Sequence, residues 1–201
     1  MKKIIKFFVG IVILLAVFVL GAGVGIYYQN EVYVVIQHYS DDVKSSPVPT
    51  QEPVDLTTES VISLPSLSEP LPLVFTDTLE EKVIQDNLKD GAVVLPLGTT
   101  FGEPGNVVVT AHSSGTESFG PYRFAFSKLS ELEEGSEYTI DTPTGNYRYR
   151  VYGKEIVWPH QVDRLPDDDR STVTLVTCWP IWTNFKRLLV HAELIGVDYN
   201  I

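Results

Sequence analysis

An uncharged apolar run, FFVGIVILLAVFVLGAGVGIYY, fills residues Phe7–Tyr28 and decides which part of the chain is left to fold in water. As a helix it spans about 33 Å at about 1.5 Å per residue, against roughly 30 Å for the hydrocarbon core of a bilayer. Gly21-Ala22-Gly23 supplies small residues of the kind found at a signal cleavage site. The run nevertheless exceeds the apolar stretch of a cleaved signal, about 7–15 residues, which favours an uncleaved anchor in the lipid bilayer over residues 7–28. Lys2, Lys3 and Lys6 precede it, and the next basic residue is Lys44. The positive-inside rule then puts the N-terminus in the cytoplasm and everything after Asn30 outside the cell membrane.

That outward part is acidic. Three of the 15 basic residues lie before the anchor, which leaves 12 basic against 26 acidic side chains beyond it, a charge of −14. Binding to nucleic acid needs basic density to neutralise phosphates, so that partner class is excluded. Cys178 is the single cysteine, so no disulfide forms within the chain although an external compartment permits one.

From Asp41 to Pro72 the sequence holds six of the thirteen prolines with many Ser and Thr, the composition of an extended stalk. Three regions are therefore expected: 1–30 as cytoplasmic stub and transmembrane anchor, 31–70 as stalk, and 71–201 as the folded domain. Within the last, LPLVF (71–75) reads as a strand. Thr78 with Glu81 offers a capping box for a helix that ends at Gly91. GNVVVTAH (105–112) is a buried strand, and FAFSKLSELEEG (124–135) reads as a short helix closed by glycine. Period-two segments at 138–141 and 147–152 flank Pro143-Thr144-Gly145-Asn146, a hairpin signal. Residues 172–178 and 186–195 give the last two strands. Many strands and two small helices in about 130 residues indicate a mostly β domain, a barrel or sandwich.

Cys178 ends one of those strands. It is either a small buried hydrophobe or a nucleophile, and as a nucleophile it needs a base or cation beside it. Of the four histidines, His38 flanks the anchor, His160 follows a proline in a loop, and His191 lies in the last strand as a half-exposed residue. His112 stands apart: it ends an apolar strand and is followed by Ser113-Ser114-Gly115, the kind of strand-to-loop junction where functional groups gather. Only Trp179–Phe185 separates the last two strands, so antiparallel pairing sets Arg187 opposite Cys178. There its guanidinium is placed to donate to the oxyanion formed when a thiolate attacks an amide carbonyl. His191 lies roughly 13 Å along the same strand, too far to share that site. The bland alternative stays open on these grounds: a buried cysteine, a satisfied histidine and a surface arginine. Asp167-Asp168-Asp169 reads as a solvated turn, because no spaced ligand pattern accompanies it. No metal and no cofactor are expected.

GNVVVTAHSS, TLVTCWP and NFKRLLV, in that order, resemble the three signature blocks of the sortases, membrane-anchored cysteine transpeptidases of bacterial surfaces. The matching residues are Ala111-His112, Thr174-Leu175-Val176-Thr177-Cys178 with Pro180, and Arg187-Leu188-Leu189-Val190, with Arg187 nine residues after Cys178. The resemblance covers about residues 71–197 and implies a closed β-barrel of about eight strands with a few short helices. It implies cleavage of a Leu-Pro-x-Thr-Gly-like sorting signal of surface proteins at Cys178 through a thioacyl-enzyme. It also implies His112 as general acid and base, and Arg187 as the group that positions substrate and stabilises the oxyanion. The partners it implies are sorting-signal peptides and an acceptor amine of the cell envelope or of pilin. Ser113, Thr177, Trp179 and Trp182 are expected to line the substrate groove.

The match is not complete. Ala111 stands where the family often has glycine, and Trp182 where many members have glycine. No Asp-Pro-aromatic lid motif occurs in the N-terminal segment and no second apolar span follows Ile195, which runs against the usual pilus-polymerising organisation. A hydrolytic cysteine peptidase on the same fold, and an inactive anchored binding module, are the competing functions.

Overall fold

The computed structural model describes residues 60–97, 99–161 and 169–200; the expected anchor and nearly all of the expected stalk lie outside them. Eight strands close into a barrel: β1 (Val61–Ser63), β2 (Leu71–Phe75), β3 (Ala92–Val94), β4 (Gly105–Thr110), β5 (Glu137–Thr142), β6 (Gly145–Val157), β7 (Ser171–Trp179) and β8 (Lys186–Tyr199). Around the barrel the order is β1-β2-β3-β4-β7-β8-β6-β5, parallel at β2–β3 and β4–β7 and antiparallel elsewhere. The mostly β, closed-barrel expectation holds. Strand β1 lies within the stretch expected as stalk, where it pairs with both β2 and β5.

Alternation along each strand fills the interior. Val107 and Val109 of β4, Val173 and Leu175 of β7, and Leu188 and Val190 of β8 all point into one buried cluster. The hairpin read at Pro143–Asn146 forms: Thr142 pairs with Gly145, and the Thr142 hydroxyl accepts the Thr144 amide at 3.2 Å.

Two helical expectations change. The one α-helix among the described residues, α1, spans Glu81–Asn87, and the Thr78 hydroxyl accepts the Glu80 amide at 3.1 Å instead of closing a capping box on Glu81. Gly91 follows the end of α1 for a different reason: a Cβ there would lie 2.3 Å from the Pro72 carbonyl oxygen. Residues 124–135 form turns and one 3-10 segment, Leu129–Glu131, not an α-helix. Phe126, Leu129 and Leu132 are all buried, and spacing of three matches the three-residue period of a 3-10 turn. Their amides bond accordingly, Leu129 N to Phe126 O and Leu132 N to Leu129 O. Burial of that apolar row against the barrel outweighs the intrinsic helix preference of the Lys and Glu between.

Candidate active site

Strand β7 runs between β4 and β8, and the two ladders place the candidate residues. On one side the β7–β8 register sets Cys178 directly opposite Arg187, the pairing expected from the short connection. On the other, Thr110 of β4 pairs with Val176 of β7 in parallel. His112 and Cys178 lie two residues beyond that last pair along their two strands, so the β4–β7 ladder delivers both to the same end of the barrel. Because Val109, Leu175 and Leu188 face the core, alternation turns Thr110, Val176, Cys178, Leu189 and Arg187 to the outer face. Cysteine and arginine therefore sit on paired strands, and histidine two residues past the end of the neighbouring β4, at one end of the barrel wall.

Each is partly shielded. Cys178 is half-buried and in no disulfide. His112 Nε2 is buried and has no hydrogen-bond partner among the described residues. The Phe119 ring stands edge-on to the imidazole with centroids 4.8 Å apart. Burial disfavours the imidazolium and holds the His112 pKa below its ordinary 6.5, so the ring is neutral at neutral pH. The Arg187 guanidinium donates through Nη1 to the carbonyls of Asn184 and Lys186, each at 3.0 Å. Those bonds tether its head to the β7–β8 loop, while Nε and Nη2 make no bond to the described residues.

The expected groove-lining residues divide. Ser113 and Thr177 are 1% and 2% exposed, and their hydroxyls donate to main-chain carbonyls, Cys178 O at 2.9 Å and Ala111 O at 2.7 Å. Both are internal to the site and do not line its surface. Trp179 packs against the hydrophobic core. Trp182 is 67% exposed, meets Phe124 edge-on at 5.7 Å, and has a left-handed backbone (φ 68°) of the kind that suits glycine. Its amide donates to the Ser114 hydroxyl at 2.8 Å. Ile181 and Phe185 of the same loop are also exposed, giving an apolar rim on the connection that follows Cys178 in the chain.

The remaining histidines stay apart from this cluster. His38 lies outside the described residues, and His160 is exposed in a turn. His191 faces outward as alternation predicts but is buried, not half-exposed: Tyr152 stacks on it, Thr174 Oγ1 lies 3.0 Å from Nδ1, and Glu155 Oε1 3.7 Å from Nε2. Among the described residues no three His, Cys, Asp or Glu side chains gather to hold a metal; of the three aspartates only Asp169 lies within them. Phe119 and Phe124 were not singled out from sequence. The available signal was Gly115, where a Cβ would come within 2.8 Å of the Phe119 ring.

Comparison with known proteins identifies the domain's family. The sortase-domain family model matches residues 62–195. Sortase A of Bacillus anthracis is 27% identical over 135 residues, which cover 67% of this chain and 59% of that protein's length. The pilus-related sortase C of Group B Streptococcus superposes with a TM-score of 0.59 at 26% identity, covering 85% of this chain and 90% of the other. Sortase A of Listeria monocytogenes shares the fold at a TM-score of 0.58 and 20% identity, over 73% and 92% of the two chains. With a matched family domain that begins at the second residue of β1 and ends within β8, the chain belongs to the sortase family.

Proposed function

We propose that this sortase is a membrane-anchored cysteine transpeptidase. It cleaves a Leu-Pro-x-Thr-Gly-like sorting signal of surface proteins and transfers the acyl group to an amine of the cell envelope or of pilin. The observation that supports the reading is the pairing of Cys178 with Arg187 across β7–β8, with His112 two residues past the end of β4, the strand on the other side of β7. The anchor over residues 7–28 holds the domain outside the cell membrane, N-terminus inside.

In this reading neutral His112 accepts the proton of the Cys178 thiol through a ring nitrogen. The Cys178 sulfur then attacks the threonine carbonyl carbon of the signal. The oxyanion that forms is met by Arg187, which pairs with Cys178 across the strands and keeps Nε and Nη2 as donors not used by its bonds to Asn184 and Lys186. The C–N bond breaks as His112 returns its proton to the departing amine, leaving a thioester on Cys178. An incoming amine attacks that thioester, loses a proton to His112, and releases the Cys178 thiol with a new amide. The apolar rim of Ile181, Trp182 and Phe185 supplies a surface for the signal's side chains.

The test is incubation of the full chain in detergent micelles with a labelled Leu-Pro-x-Thr-Gly peptide and a triglycine amine. A thioester on Cys178 by mass spectrometry and an amide product are expected, both lost in Cys178→Ala. Free acid as the only product despite abundant amine makes the protein a hydrolase. No acyl-enzyme at all leaves it a binding module.

A further inference from the structure

The parallel β4–β7 ladder stops short of the residues it has to align. Its last pair is Thr110 with Val176, and its last main-chain bond runs from Ala111 N to Val176 O at 3.2 Å. His112 and Cys178 both lie beyond that rung, where nothing in the backbone ladder fixes one segment's height against the other. Two side-chain hydroxyls take over. Thr177 Oγ1 donates to the carbonyl of Ala111 at 2.7 Å, and Ser113 Oγ donates to the carbonyl of Cys178 at 2.9 Å. The bonds run in opposite senses: one from the cysteine strand to the histidine segment, one back. They also bracket the site, since Ala111 and Ser113 flank His112, while Thr177 and Cys178 are consecutive. Both hydroxyls are buried, so water does not compete for the carbonyls, and losing either donor leaves a shielded acceptor unpaired. The carbonyl of His112 itself is held from the other side by the Phe126 amide at 2.9 Å.

The geometry points to Ser113 and Thr177 as positioning residues, a reciprocal hydroxyl clasp that sets the distance between the His112 imidazole and the Cys178 thiol. Neither touches the reacting atoms. Each acts on the main chain of the residue that does, or of its neighbour. A plain packing role is the rival, and it makes a different prediction: lower stability with unchanged chemistry. A displacement of about 1 Å between reacting groups costs about a hundredfold in rate, so an alignment role shows in turnover before it shows in folding.

The inference rests on Cys178 and His112 acting as a coupled pair, so the experiment has one readout that needs no peptide substrate. The full chain in detergent micelles is alkylated at Cys178 with iodoacetamide across pH, alongside Thr177→Val, Ser113→Ala, Thr177→Ser and His112→Gln. Turnover of the labelled peptide and thermal melting are measured on the same samples. Thr177→Val and Ser113→Ala are expected to move the alkylation pH profile toward that of His112→Gln. They are also expected to lower kcat about 10- to 100-fold, with KM within about twofold. Thr177→Ser, which keeps the hydroxyl, is expected to restore both. Ser113→Ala, the smaller change, carries the test if Thr177→Val does not fold. Wild-type profiles and kcat in both variants, with only the melting temperature lowered, overturn the clasp. A profile that His112→Gln leaves unchanged overturns it too, because there is then no coupling to align. If the profile moves as expected but no peptide is ever turned over, the clasp stands and the transpeptidase reading fails.

Discussion

Trp182 is a large aromatic held in a backbone conformation that glycine prefers, and that conflict yields a prediction of sign. At φ 68° a residue with a Cβ is in the left-handed region, at a cost of about 1–2 kcal/mol that glycine does not bear. Glycine instead gives up about 0.5–1 kcal/mol through the greater freedom of its unfolded chain. Glycine at this position is therefore more stable than alanine by about 0.5–1 kcal/mol, the reverse of their order inside helices and strands. The indole adds an edge-to-face contact with Phe124; such pairs give about 0.5–1.5 kcal/mol, and 67% exposure puts this one at the low end. Wild type and Trp182→Gly then melt close together, while Trp182→Ala falls below both by about 2–4 °C per kcal/mol. Thermal melts of the three full-length proteins in the same detergent decide it. Trp182→Ala melting at or above Trp182→Gly refutes the account of this loop. If the indole also receives the peptide, KM rises about three- to tenfold in both variants alike, since both lack the ring whatever their stability.

Two further outcomes follow from the same geometry. Arg187→Lys keeps the charge but loses the planar fork that reaches the Asn184 and Lys186 carbonyls and still presents free donors, so acylation is expected to fall at least about a hundredfold in single-turnover assays; near-normal acylation removes the oxyanion role. Burial lowers the pKa of His191 below 6.5, so the unfolded chain takes up a proton before the fold does. Stability from this group is complete above about pH 6.5 and declines as pH falls toward the depressed folded value. The stability gap between wild type and His191→Gln should therefore narrow as pH drops from about 7.5 to 5.5 in urea titrations; a gap constant across that range refutes the linkage.

The pairing of Cys178 with Arg187 was legible because a short connection between two apolar strands leaves little choice of register, and the barrel keeps it. The direction of His191 was legible from alternation in LLVHAEL, whereas its burial was not. Exposure on the outer face depends on Tyr152, the β6 residue at the register shift between Val151 and Gly153. Strand β1 was hidden because three residues among prolines and serines carry no periodicity; neighbours on both edges make it a strand. The stretch 124–135 misled because its composition favours a helix while its buried residues recur every three positions.

The roles of Ser113 and Thr177 show where reading residue by residue stops. Small hydroxyl residues beside a nucleophile suggest contact with substrate, and sequence does not tell whether a hydroxyl faces the groove or a carbonyl behind it. What decides is the point at which the β4–β7 ladder ends. Had main-chain bonding continued two residues further, His112 and Cys178 would be fixed by the sheet, and both hydroxyls would be free for other work. Because it stops at Ala111, the bonds that join the His112 and Cys178 segments beyond it come from two side chains, which is the basis of the proposed clasp. Substitutions there are then expected to disturb chemistry more than folding, although both residues are as buried as the core.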